Sequence, residues 1–249
     1  MDRKYWERIA PNYNEEIFDV LKNDKSGKIV TDIEQVAAKD KTVTDLGCAI
    51  GKWIPLLATA FKQVIATDIS AKNLEIAKEK CAAYKNVDYV RMDMSADNLT
   101  VTPCDVAICI NAILSDNLKK RINFFQSLNI CINKNGYLIL VVPSLESKLY
   151  TNIIAHRWNV DDDHKEKIES VEKAYALAKN IKQGVTDIDN VPTKHYLEAE
   201  LQLLLTLEGF TVERIEKINY PWTTEFHNPP KWLAEPYPWD WMCVARKQQ

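Results

Sequence analysis

Short, nearly unbroken apolar runs recur along this chain, separated by amphipathic stretches. Thr42–Leu46, Val64–Thr67, Val87–Arg91, Asp105–Ile110, Tyr137–Val142, Phe210–Ile218 and Trp241–Arg246 read as strands. Among the first five, Lys52–Phe61, Ser70–Cys81 and Leu118–Cys131 carry helical spacing. Ser70 is predicted to cap its helix and Asn135-Gly136 to form a turn. Tyr196–Glu208 reads as a later helix, with Leu197, Leu201, Leu204 and Leu205 on one face and Gly209 as its cap. Upstream, Tyr5–Tyr13 predicts a short helix and loop. Ile17, Val20 and Leu21 extend an apolar stripe, and Ile29, Ile33, Val36 and Ala37 recur at helical spacing. Strands this continuous in apolar residues are covered on both faces. Their alternation with helices predicts an α/β fold, a doubly wound, seven-stranded, mostly parallel sheet.

Residues 144–195 break the rhythm. They hold helical stretches around Ser147–Ala155 and Lys165–Lys179, then a polar connector from Gly184 to Pro192. An insertion of this length between sheet elements is usually functional, so a helical lid over the site is expected. Residues 1–249 are expected to form a single domain with 144–195 as that insertion. A composition of 46% hydrophobic and 27% charged residues suits a compact core of this size.

Charge and cysteine content narrow the partners. A net charge of −3 with interspersed lysines and arginines lacks the basic patch of a phosphate-gripping protein, so nucleic acid is disfavoured. The longest apolar run, Tyr137–Val142, is far short of the ~20 residues that span a bilayer. No apolar segment follows Met1-Asp2-Arg3-Lys4, so no signal peptide is expected. The six cysteines show no paired CxxC spacing, and several lie in apolar runs. They read as small core residues in a reducing cytoplasm.

The candidate chemistry lies where strands end. Asp45-Leu-Gly47-Cys-Ala49-Ile-Gly51 follows the first strand. Its glycines permit a tight strand-to-helix turn and close ligand approach, and the next helix aims its N–H groups into the same crevice. Asp68 closes the second strand, where a carboxylate can accept both hydroxyls of a ribose; Asp93 ends the third and Asn111 follows the fourth. Open α/β sheets bind ligands at these carboxyl ends. The loop matches neither G-x-G-x-x-G nor G-x-x-x-x-G-K-[ST], so a nucleoside is indicated without a pyrophosphate cradle.

Val43-Thr-Asp-Leu-Gly-Cys-Ala-Ile-Gly51 resembles motif I of class I S-adenosylmethionine-dependent methyltransferases, with Ala49 at the place of the middle glycine. The N-terminal Tyr-Trp…Ala…Tyr pattern and Lys194-His-Tyr-Leu-Glu-Ala-Glu-Leu…Gly-Phe210 are also similar to that family. The resemblance implies S-adenosyl-L-methionine as cofactor and a role for each matched position. Asp45 would orient the methionine amino group, and Gly47, Ala49 and Gly51 would give backbone approach. Asp68 would take the ribose hydroxyls, Ile69 would pack on adenine, and Asp93 and Met94 would fix its edge. Asn111 would face the methionine moiety and Tyr13 would close over it. His195, Tyr196 and Asn111 are the candidate catalytic residues.

The bland reading of His195 is a solvated or capping histidine; the sharper one is a substrate contact or base. His156-Arg157 reads as an exposed helix end. Asp161-Asp-Asp-His164 reads as a capping loop rather than a metal site, and no metal is expected. Trp222, Phe226, Trp232, Tyr237, Trp239 and Trp241 are either packing or the wall of an acceptor pocket. The tail from Asn228 to Trp241 resembles the methyltransferases that N-methylate 5-thiohistidine in ovothiol synthesis. That likeness implies an imidazole acceptor. The reading is therefore methyl transfer to a small molecule; an NAD-dependent oxidoreductase or a non-catalytic nucleoside-binding protein are the alternatives.

Overall fold

The computed structural model describes residues 1–158, 179–188 and 191–248. Five strands, β1 (Thr42–Leu46), β2 (Gln63–Asp68), β3 (Val87–Arg91), β4 (Cys104–Ile110) and β5 (Ile132–Pro143), pair in parallel. Two more, β8 (Phe210–Asn219) and β9 (Trp239–Lys247), complete a seven-stranded sheet in the order β3-β2-β1-β4-β5-β9-β8. β9 runs antiparallel to both of its neighbours. This is the doubly wound, mostly parallel sheet that the apolar runs predict.

The central strands β1, β4 and β5 are buried over nearly all their length because helices cover both faces. Ile29, Ile33, Leu57, Phe61 and Ile108 share one apolar cluster; Phe125, Leu128, Leu201, Leu205 and Phe210 belong to another. Ser70 caps α6 (Ala71–Lys80) through Oγ, which accepts from Asn73 N at 3.2 Å. Gly209 follows α9 (Glu198–Leu207) at φ +80°, as its predicted cap requires. Of the four leucines predicted for one face, Leu201 and Leu205 are fully buried, while Leu197 is exposed because it precedes the first turn.

Two local expectations are corrected. Asn135-Gly136 is not a turn between elements, since β5 runs straight through it, with Asn135 at φ +61° and a register shift against β4. A Cβ on Gly136 would stand 2.8 Å from Asp105 O, so this close strand approach tolerates only glycine. The polar connector after Gly184 is a hairpin, β6 (Val185–Ile188) with β7 (Val191–Lys194). In the inserted region, α8 (Leu145–Trp158) starts two residues beyond β5 and leaves its His156-Arg157 end exposed. The expected helix over Lys165–Lys179 and the Asp161–His164 loop lie outside the described residues, apart from Lys179.

Candidate functional site

The Gly47–Gly51 turn is built by two hydrogen bonds to one acceptor. Gly47 N and Cys48 N donate to Thr67 O at 2.9 and 2.8 Å, locking the β1 tip to the β2 tip. Gly47 sits at φ +76°, and a Cβ there would meet Ala112 Cβ at 2.6 Å. Ala49 adopts φ +48° and donates its N–H to Asp68 Oδ2 at 2.9 Å. An alanine in this left-handed region costs roughly 1–2 kcal/mol, part of which glycine returns to the unfolded chain. Ala49→Gly is therefore expected to stabilise by about 0.5–1 kcal/mol. A melt should show a rise of roughly 1–4 °C, and no rise would remove the strain assigned to this residue.

One cavity of about 1280 Å³ opens at the strand tips. Gly47, Ala49, Asp68, Ile69, Asp93, Met94, Asn111, Tyr13 and His195 all line it. Asp68 is nearly buried; its Oδ1 accepts from Ser70 N at 2.8 Å and from Asn73 Nδ2 at 3.3 Å. Burial raises its carboxyl above the usual range, against these stabilising donors. Asp93 Oδ1 accepts from both Ser95 N and Ser95 Oγ, at 2.9 and 2.6 Å, leaving Oδ2 toward solvent. Tyr13 lies beside Lys52, whose Nζ is 5.8 Å from the ring centroid and pairs with Asp19 at 2.7 Å. The N-terminal helix α1 (Arg3–Ile9) covers the same opening and is moored by Glu7, which accepts from Ala71 N at 2.9 Å at the head of α6.

Two motif residues do not line the cavity. Asp45 is buried, with Oδ2 unpartnered, and burial together with the Asp68 charge pushes its carboxyl up to about 7. Gly51 serves packing, since a Cβ there would stand 3.0 Å from both Ala77 Cβ and Ile54 Cδ1. Tyr196, a candidate catalytic residue, is corrected to an internal pin. It is fully buried away from the cavity, with its hydroxyl donating to Ile113 O at 2.9 Å and its ring edge-on to Phe125. Tyr196→Phe should cost about 1–3 kcal/mol by leaving a buried carbonyl unpaired. Denaturant melts and a nucleoside-binding titration check this; a tenfold loss of affinity at unchanged stability would contradict the pinning role.

His195 does not cap α9; it follows β7 and lines the cavity, with only 3% of its surface exposed. Its Nδ1 lies 3.0 Å from Thr193 O and 3.1 Å from Thr186 Oγ1. The carbonyl can only accept, so Nδ1 carries the proton and Nε2 keeps a lone pair. Burial lowers its pKa to about 4, so the ring is neutral at pH 7.

Three groups at the same cavity escaped the sequence reading. Asp240, the second residue of β9, lies opposite Pro143, and its Oδ2 accepts from Asn111 Nδ2 at 3.1 Å and from Tyr220 Oη at 3.0 Å. Tyr220 and Glu225 come from the segment joining β8 to β9 and line the cavity too. Of that segment's aromatics, Trp222 and Phe226 stack on each other at 5.6 Å and pack against Ile154 and Ala155. Trp232 is exposed, and only Trp239 among the six named aromatics reaches the cavity. A lone acid in Trp239-Asp-Trp-Met-Cys-Val was the available signal for Asp240. Among the described residues no cluster of His, Cys, Asp and Glu could hold a metal ion, and no helix is long and apolar enough to cross a membrane.

Comparison with known proteins gives the same outline. Residues 43–136 match the family model described as a methyltransferase domain. No curated protein matches the chain by sequence. A solved S-adenosylmethionine-dependent methyltransferase from Methanosarcina mazei superposes with TM-score 0.60 at 18% identity, over 87% of this chain and 96% of that one. A second, from Anabaena variabilis, gives TM-score 0.64 at 15% identity, over 99% and 93%. The N-methyltransferase NodS from Bradyrhizobium japonicum, solved with S-adenosyl-L-homocysteine, gives 0.63 at 11%, over 99% and 98%. The chain thus has the Rossmann-like methyltransferase fold, and its residues 43–136 match the methyltransferase domain.

Proposed function

We propose that this chain transfers the methyl group of S-adenosylmethionine to a small molecule bound in the same cavity. The observation that carries the reading is the convergence of Gly47, Asp68, Asp93 and Asn111, from the tips of neighbouring strands, on one cavity. At about 1280 Å³ it exceeds the roughly 300–1,000 Å³ of an ordinary ligand pocket, leaving room for a nucleoside and an acceptor together. The residues present fit such a cofactor. Asp68 Oδ2, which accepts only from Ala49 N, retains a lone pair for a ribose hydroxyl, and Ile69 and Met94 offer apolar surface to a base.

When bound, S-adenosylmethionine supplies a methyl already activated on a sulfonium, so the protein's main task is alignment, worth ~7–11 kcal/mol in favourable cases. Tyr13 and α1 exclude water from above. His195, neutral with its free lone pair, is the candidate to take a proton from the acceptor. The acceptors covered by this reading include the imidazole nitrogen of a thiohistidine.

S-Adenosylhomocysteine at a hundred times its dissociation constant should stabilise the protein by ~2.7 kcal/mol, a shift of roughly 5–10 °C at this size. NAD should give no shift. The reverse pattern would favour an oxidoreductase, and binding without turnover on any acceptor would favour a non-catalytic nucleoside-binding protein.

A further inference from the structure

The sheet order separates two ends of the cavity. Asp68 ends β2 and Asp240 is the second residue of β9, with β1, β4 and β5 between them. Four strand spacings of about 4.8 Å put the two acids on the order of 19 Å apart. The nucleoside motif lies on β1–β3, so the β4–β5–β9 end, where Asn111 sits, is left for the acceptor.

That end is rich in acceptors and poor in positive charge. Asp240 receives its hydrogen bonds from an amide and a phenol, both neutral and both on Oδ2. Its Oδ1 makes no bond within the described residues, and it is not among the sealed, unpartnered atoms, so it meets the cavity. Glu225 is close enough to feel the Asp240 charge. Among the described residues neither acid belongs to an ion pair. Among the described residues Lys148 is the one cation acting on Glu225, and none acts on Asp240. Burial pushes the Asp240 carboxyl up to about 6; it raises Glu225 as well, with Asp240 adding to that rise. Two cavity-lining carboxyls, of which Glu225 alone feels Lys148, form a site that a ligand's positive charge would relieve.

We propose that Asp240 and Glu225 form an acceptor subsite selective for a positively charged nitrogen, so that the methyl acceptor enters the cavity as an amine or other basic nitrogen compound in its cationic form. This rests on the methyl-transfer reading for the word acceptor, but the charge selectivity stands on the subsite alone. Recognition comes from charge-assisted hydrogen bonds to Asp240 Oδ1 and the Glu225 carboxylate. Asn111 and Tyr220 hold the Asp240 carboxylate in place.

Calorimetry with tyramine and histamine, their alcohol counterparts and their carboxylate counterparts tests this at pH 7.5, with and without S-adenosylhomocysteine. At least one amine should bind saturably and at least tenfold more tightly than its matched alcohol, and the carboxylates should not bind. Asp240→Asn and Glu225→Gln should each weaken that amine at least tenfold while S-adenosylhomocysteine affinity stays within threefold. Glu225 lies off the sheet, so its variant remains informative if Asp240→Asn fails to fold. Absence of amine binding, parity of alcohols or carboxylates with amines, or unchanged amine affinity in the variants overturns the subsite. Failure of S-adenosylhomocysteine to bind overturns the cofactor reading instead, and amine selectivity is scored independently of it.

Discussion

Asp68→Ala is expected to weaken S-adenosylhomocysteine binding by at least tenfold. The carboxylate already organises the turn, taking Ala49 N on one oxygen and Ser70 N on the other. Asn73 Nδ2 also donates to Oδ1, so one lone pair, on Oδ2, is left for a cavity with room for a ribose. A hydrogen bond to a charged group contributes about 1.5–3 kcal/mol, so one ribose hydroxyl accounts for that much. Each 1.4 kcal/mol is tenfold in affinity, which gives about one to two decades. The turn also loses an anchor for Ala49 N, so a stability cost of about 1 kcal/mol should accompany the loss. Calorimetry on the folded variant reads the affinity directly. A change under threefold would place the ribose elsewhere and remove the ligand orientation proposed above.

Gly47→Ala should be the most damaging single methyl in the motif. At φ +76° the new residue bears about 1–2 kcal/mol of backbone strain. Its Cβ would also stand 2.6 Å from Ala112 Cβ, an atom fixed to the backbone that cannot rotate away. Overpacking of that kind costs about 1–3 kcal/mol more. The sum, roughly 2–5 kcal/mol, should lower the melting temperature by about 10 °C. The double variant Gly47→Ala with Ala112→Gly isolates the two causes: it should recover the overpacking share and retain the backbone share. A single variant as stable as the parent would show that the β1 and β4 tips separate more easily than this packing implies.

The seven strands were legible because buried parallel strands have little choice of residue; Val106, Ala107, Ile108 and Cys109 have no exposure at all. The hairpin at 185–194 was not legible. Its strands are short and half polar, and they read as a connector. His195 was found as a candidate through its place near the end of the insertion, yet its depressed pKa depends on burial by that hairpin, which local pattern does not encode. Tyr196 misled for the reverse reason: its neighbour faces the cavity, and alternation turns it into the core. Asp45 and Gly51 carry the motif's spacing but sit behind it, because a turn that presents Gly47 and Ala49 to a ligand must tuck their flanking residues inward. Asp240 was missed because the strand-tip argument attends to carboxyl ends, whereas an antiparallel strand brings its amino end to that same edge.

The antiparallel β9 divides the two acids at the acceptor end by how they can change. Asp240 is welded to Met242 and Cys243, both without exposure, so altering its position means rebuilding the sheet. Glu225 rides on an irregular segment whose anchors, Trp222 and Phe226, lie elsewhere on that segment. Grafting new residues around position 225 can therefore retune which molecule is accepted, while the nucleoside cradle on β1–β3 stays as it is. Under the proposed function, a protein arranged in this way can swap clients without relearning how to hold its methyl donor.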